Sequence, residues 1–218
     1  MAHTLNEQSL VITGADADER YANLLTGIAT LTGWTVDGDV VYIESSEKLT
    51  ITFTHTTGAT SCKVQYMNLS TEVGSTSSFP LSSDFTIYFH RSSDEKVEFL
   101  DLNYNYCQLV HAVNSNDDDF MMSSESNDMC YMASTAQTGK QPLYGKVTES
   151  TTYCITALPD IINGATIPSL YMAIGTATPS RRNQLVSFNG STYRIAFFGS
   201  TPSATACPAI AFPVAESA

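Results

Sequence analysis

LVSFNGSTYRIAFFGS, Leu185–Ser200, is the stretch that sets the fold class. Asn189-Gly190 stands between two apolar runs. A type I′ turn needs φ > 0 at both central residues, and Asn and Gly tolerate that best. A two-residue loop fixes the pairing: Phe188 opposite Ser191, Val186 opposite Tyr193, Leu185 opposite Arg194. Alternation then places Val186, Phe188, Tyr193, Ile195 and Phe197 on one face. Ser187, Thr192, Arg194 and Ala196 take the other. Such a hairpin belongs to an antiparallel sheet covered on its apolar side. Asn189-Gly190-Ser191 also matches a glycosylation acceptor, but the turn by itself explains these residues.

Working outward, the same period of two recurs along most of the chain. WTVDGDVVYI, Trp34–Ile43, is a strand, an Asp37-Gly38 turn and a strand. KLTITFTH alternates Leu49, Ile51 and Phe53 with threonines, and CKVQYM alternates after the turn TTGAT. DFTIYFH and KVEFLDL flank the polar turn RSSDE as another hairpin. YNYCQLVHAV suits a long strand, with a helix as the alternative. MCYMAS, KVTESTTYCITAL and SLYMAIGTA are further strand candidates. One segment breaks the pattern. In ADADERYANLLTGIATLTG, Tyr21, Leu24, Leu25, Ile28 and Leu31 recur at helical spacing behind Asp16, Asp18 and Glu19. An amphipathic helix is expected over 18–31, weakened by Gly27 and ended by Gly33. Residues 114–128 are expected to be a polar, acidic break around Phe120-Met121-Met122.

The expected fold is therefore mainly β: an antiparallel sandwich or barrel-like fold with one N-terminal amphipathic helix. Residues 1–14 suit an N-terminal arm or a first edge strand, and 15–200 a β-rich domain that 114–128 could subdivide. Residues 201–218, holding Pro202, Pro208 and Pro213, suit an extended edge segment rather than a central strand.

Composition narrows the function classes. With 218 residues the chain can bury a core of one large or two small domains. Charged residues make up 15%, below the usual ~25%. Ser and Thr fill the gap at roughly a quarter of the chain, Thr suiting strands and Ser suiting turns. The net charge is −12, with 10 Lys+Arg against 22 Asp+Glu. Nucleic-acid binding needs a basic stripe, and anionic membrane surfaces attract basic segments, so both partners are disfavoured. No apolar run reaches the ~18 residues of a spanning helix, and MAHTLNEQSL has no signal-peptide pattern. Cys62, Cys107, Cys130, Cys154 and Cys207 are odd in number, widely spaced and free of any C-x-x-C pair. They are expected to be reduced, metal-free thiols of a protein folded in a reducing cytoplasm.

No catalytic, cofactor-binding or metal constellation stands out, and no cofactor is expected. His3, His55, His90 and His111 could each be drawn into a triad with one of many serines, but no G-x-S-x-G elbow is present. His55 and His90 are expected at the surface, at strand ends. Asn114, Asn116, Asp117, Asp118 and Asp119 offer hard oxygen ligands without the calcium-loop spacing, and suit a solvated loop. Glu149 and Asp160 could join a glycosidase pair only through a geometry that sequence does not give. Tyr104 and Tyr106 of NYNYC, with Asn103 and Asn105 on the opposite face, and Trp34 could present stacking rings to a sugar or protein. Tyrosines in the core with their hydroxyls at the rim are the plainer alternative.

Taken whole, the Ser/Thr-rich, low-charge, strand-dense chain, rich in small turns and without a visible leader, resembles virion structural proteins of tailed bacteriophages: tail, baseplate, connector and capsid-decorating components. The likeness lies in overall style and carries over no individual residue. It implies a non-enzymatic structural subunit, folded in the host cytoplasm and built into a virion, whose partners are other copies of itself and other virion proteins. Residues 1–14 and 201–218 would then lie on neighbouring chains, and 1–14 could be removed without unfolding the domain. The alternative function is a receptor- or glycan-binding β-domain using Tyr104, Tyr106 or Trp34. A hydrolytic enzyme ranks third.

Overall fold

The computed structural model describes residues 5–43, 47–92, 96–103, 107–113, 115, 117–125, 129–134, 141–143, 154–157, 171–174, 185–188, 190–197 and 209–214. In chain order these form β1 Leu5–Ile12, α1 Ala17–Thr32, β2 Thr35–Asp37, β3 Val40–Tyr42, β4 Leu49–His55, β5 Ser61–Asn68 and β6 Thr71–Pro80. Then come β7 Phe85–Ser92, β8 Val97–Asn103, β9 Cys107–Val113, β10 Asp119–Glu125, β11 Met129–Ser134 and β12 Gln141–Leu143. The last are β13 Cys154–Ala157, β14 Tyr171–Ile174, β15 Leu185–Phe188, β16 Ser191–Phe197 and β17 Ala209–Val214. The protein is mainly β, sandwich-like and not a closed barrel, with one helix near the N-terminus.

Every described strand pairing is antiparallel. The sheets run β1-β7-β8-β9-β10-β11-β12, β2-β3-β4-β5-β6 and β13-β14-β17-β16-β15. The first two enclose the main core together with α1. In β4, Leu49, Ile51 and Phe53 are buried while the threonines between them are half-buried or exposed. In β5, Cys62, Val64 and Tyr66 are buried opposite them, with Ile51 facing Tyr66 and Phe53 facing Val64. From the seven-stranded sheet Ile87, Phe89, Leu100, Leu109 and Met121 join the same cluster. Each large apolar side chain taken from water there stabilises the fold by about 1.5–3 kcal/mol.

α1 begins one residue before the expected 18–31 and ends one residue after it. Asp16 is its N-cap and accepts from the Glu19 N–H at 2.9 Å, while Glu19 reaches back to the Ala15 N–H at 2.7 Å. The first contact satisfies a donor that the first turn leaves unpaired, and the second ties the residue before the cap to the helix. Gly33 ends the helix at φ +76. Gly27, which weakens the helix in sequence, lies close against β1. A Cβ there would lie 2.7 Å from Ile12 Cδ1 and 3.0 Å from Leu10 Cδ2.

The seven-stranded sheet is covered on both faces at its centre. Along β8, Glu98, Leu100 and Leu102 point one way and Val97, Phe99 and Asp101 the other, and all six are buried. A strand covered on both sides loses the apolar/polar alternation of a half-exposed one.

Four expectations are corrected. The turn between β2 and β3 is Gly38-Asp39, one residue later than Asp37-Gly38, because Asp37 pairs with Val40. Gly38 has φ +55, the Gly-first pattern of a type II′ loop. Within 114–128, Asp119–Glu125 is not a break but the strand β10. It pairs with β9 and β11, and Phe120, Met121 and Met122 are buried. Those three side chains outweigh the polar residues around them. The Pro-rich tail is not at an edge: Ala209–Val214 lies between β14 and β16. Pro213 is tolerated because, among the described residues, β14 pairs only as far as Ala211 and β16 is the one neighbour at Pro213. Finally, of the two forms expected for residues 1–14, Leu5–Ile12 takes the first edge strand among the described residues and not the free arm. It pairs along its whole length with β7 and sends Ile12 into the core, so removing residues 1–14 would open that core.

The hairpin at 185–197 has the expected register, with Leu185 opposite Arg194, Val186 opposite Tyr193 and Phe188 opposite Ser191. Tyr193 is half-buried. Asn189, and the side chains of Val186, Phe188, Ile195 and Phe197, lie outside the described residues. Gly190 sits at φ +77, and a Cβ there would meet nothing within 4 Å. Gly190→Val is therefore expected to cost about 1–2 kcal/mol through backbone strain alone, read as a lower denaturant midpoint with an unchanged slope.

Candidate functional site

Three arrangements gather the polar and exposed groups. The first joins the start of α1 to the five-stranded sheet. Asp18 Oδ1 lies 2.7 Å from His55 Nε2, and the same carboxylate accepts from the Gly58 N–H at 2.9 Å. The Gly58 N–H, and then His55, hold the Asp18 carboxyl below the ordinary aspartate value. The other ring nitrogen, His55 Nδ1, lies 3.3 Å from the Ser61 carbonyl oxygen. Tyr21 stacks on the His55 ring at 4.6 Å and donates its hydroxyl to Asp39 at 2.8 Å. Burial, followed by Asp39, pushes the Tyr21 hydroxyl well above the usual tyrosine value. Beside this cluster a cleft of about 340 Å³ is lined by Asp16, Asp18, Arg20, Gly58, Thr60 and Ser82. Arg20 does not offer its charge to that cleft. It donates to the carbonyls of Gly14, Leu81 and Ser82, locking the helix to the chain between β6 and β7.

The second arrangement is a buried polar hub inside the sandwich. Glu98 is 0% exposed. It accepts from Trp34 Nε1 at 3.2 Å, from Arg91 Nε at 2.6 Å and from His111 Nδ1 at 3.1 Å. Arg91 also donates to the Thr32 carbonyl at the end of α1 at 2.7 Å. His111 Nε2 lies 3.1 Å from Asp119 Oδ1. Burial pushes the Glu98 carboxyl up, but His111 and Arg91 together outweigh it and hold it below the ordinary glutamate value. The hub ties β7, β8, β9 and β10 to the end of the helix.

The third is a surface. β1 is an edge strand, with β7 as its one ladder partner among the described residues. Val11 on it is 58% exposed. Between β1 and α1 runs a groove of about 220 Å³ lined by Leu10, Val11, Ile12, Thr26, Gly27 and Thr30, among others. The Thr26 and Thr30 hydroxyls donate back to the Ala22 and Thr26 carbonyls.

Several residues singled out in the sequence sit elsewhere than expected. His90 lies inside β7, is buried at 2% exposure and packs against Phe99; His55 does end its strand, β4, but its ring is lodged against Tyr21 and Asp18 and not at the surface. Trp34 is 4% exposed, edge-on to Phe89 and bonded to Glu98, so it belongs to the core and is not a sugar platform. Of the acidic loop, Asp119 turns inward to His111 and Asp117 lies 3.5 Å from Lys96. Cys62 is a free, buried thiol that burial pushes up to about 12. His3, Tyr104, Asn105, Tyr106, Asn114, Asn116, Glu149, Asp160 and Cys207 lie outside the described residues, as do the side chains of Asn103, Cys107, Cys130 and Cys154. Among the described residues no cluster of three His, Cys, Asp or Glu is arranged to hold a metal ion, and no helix is long and apolar enough to cross a membrane. Sequence reading missed Arg20, Arg91 and Glu98. The one available signal was charge placed at inward positions of an otherwise apolar strand, as Glu98 is in KVEFLDL.

Neither the protein-family models, nor the curated proteins, nor the solved structures contain a match to this chain.

Proposed function

We propose that the protein is a structural subunit of a phage particle or of a phage-derived tail apparatus, working by packing against other copies of itself and other proteins of the particle. The observation that carries this reading is the edge of β1, which among the described residues has no ladder partner besides β7, beside the β1–α1 groove. An edge strand presents a row of backbone donors and acceptors that another strand can pair with. The groove beside it, lined by Leu10, Val11 and Ile12 of β1 and by Asn23, Thr26 and Thr30 of α1, is mixed in character and offers an added strand both apolar and polar contacts. The occupant proposed is a strand of a neighbouring copy. The Ser/Thr-rich, low-charge composition is in keeping with the same role. The geometry of His55 and His111 favours it over hydrolysis through either of those two rings. A general base needs a ring nitrogen free to take a proton, whereas both nitrogens of His55 and both of His111 already face oxygen acceptors.

Val11→Lys combined with Thr26→Arg places charge on the exposed face of β1 and on the helix side of the groove. Both positions are exposed, so the variant is expected to unfold at the same denaturant concentration as the parent. In sedimentation velocity the parent should associate as concentration rises and the variant should stay monomeric. Equal association of the two, or a parent that is monomeric throughout, would overturn the proposal.

A further inference from the structure

The hub around His111 carries a consequence that does not depend on the assembly reading. A neutral imidazole has one N–H and one bare lone pair. His111 presents both nitrogens to carboxylate oxygens, Nδ1 to Glu98 and Nε2 to Asp119, each at 3.1 Å. Were the ring neutral, one of the two contacts would set a lone pair against an anionic oxygen. The count that follows is of the ionised groups among the described residues. Arg91 lies 2.5 Å from Glu98 Oε1. With His111 doubly protonated, two cations, Arg91 and His111, balance two anions, Glu98 and Asp119. With His111 neutral, a site whose centre is fully buried holds a net negative charge. Among the described residues, β7 brings Arg91 to this set, β8 Glu98 and β10 Asp119, and the segment after α1 adds the neutral Trp34. Lys96 and Asp117 pair with each other at the solvent end. Asp101 points to the opposite face of the sheet.

We infer that His111 is held as an imidazolium between Glu98 and Asp119, and that its proton is a latch across β8, β9 and β10 that alkaline pH releases. Asp119, 30% exposed where His111 is 1% exposed, is the way out for that proton. Releasing it leaves Glu98 and Asp119 facing a ring that can donate to only one of them. The β9–β10 seam should then open more readily, since an uncompensated buried charge is strongly unfavourable. The sign follows from the proton count. The folded state holds a proton that the unfolded chain gives up above the ordinary histidine value, ~6.5. The stability it supplies is complete below that value and is lost as pH rises through the point where folded His111 deprotonates.

The test is nitrogen-detected NMR of the histidine rings in the full chain between pH 5 and 9. His111 should show two protonated nitrogens at pH 7, and the exchange protection of the Leu109–Val113 amides should fall as that signal is lost. In Asp119→Asn the midpoint of proton loss should move to lower pH by about one unit or more, a tenfold change in the equilibrium. A single neutral tautomer in the parent at pH 7 would overturn the latch without need of the variant. So would an Asp119→Asn midpoint equal to the parent's, or amide protection that ignores the titration.

Discussion

Glu98→Ala is expected to destabilise the fold by about 3–5 kcal/mol, the range for removing one partner of a buried ion pair. The loss exceeds that of a single hydrogen bond because the carboxylate serves three side chains at once. Without it Arg91 and His111 remain as two cations inside the sandwich, and the Trp34 N–H loses its acceptor. Glu98→Gln keeps the shape and one acceptor oxygen and should recover part of the loss. Chemical denaturation of the three proteins at pH 7 checks the order: parent, Glu98→Gln, Glu98→Ala. The pH profile adds a second check. The folded-state value of Glu98 is lowered, so its contribution is present above the unfolded carboxylate value, ~4.3, and is lost as pH falls through the lower folded one. Glu98→Ala should therefore flatten the acid limb of the stability curve. An unchanged acid limb, or a loss below about 1 kcal/mol, would contradict the hub.

Trp34→Ala is the second large effect, at about 3–5 kcal/mol for an emptied aromatic site. The ring packs edge-on to Phe89 at 5.9 Å and is shielded from solvent. Trp34→Phe keeps most of that packing and gives up the indole N–H, so it should cost much less. Because Trp34 and Glu98 touch, the double variant should lose less than the sum of the two single losses. A Trp34→Ala protein as stable as the parent would return the ring to the surface, where a binding platform would need it.

How far these features were legible in the sequence depends on the range of the interaction. α1 was readable because capping and helical periodicity are local: Asp16, Glu19 and Gly33 mark its ends within a few residues. The hairpin at 185–197 was readable because a two-residue turn fixes its own register. β10 was not, since Asp117–Asp119 and Ser123–Ser126 look like a loop until Phe120, Met121 and Met122 are seen to be covered by the sheet's neighbours. Pro213 misled for a related reason, because whether a proline sits at an edge depends on where the neighbouring strand stops. The hub was the least legible part. Its members, Trp34, Arg91, Glu98, His111 and Asp119, come from separate elements, and only the sheet register brings Arg91 opposite Glu98 and Glu98 opposite His111. The β1 surface fell between these cases, since strand propensity was visible while edge position is a property of the whole sheet.

The most direct measurement of the central claim, that copies join through the edge of β1, is amide hydrogen exchange of the parent protein at a concentration where it is associated and at one where it is monomeric. On the present account the Leu5–Ile12 amides that face away from β7 exchange fast in the monomer and slow markedly on association. The β4 and β5 amides, paired within the subunit in both states, should not change. Association that slows exchange elsewhere and leaves Leu5–Ile12 as it was would contradict the claim.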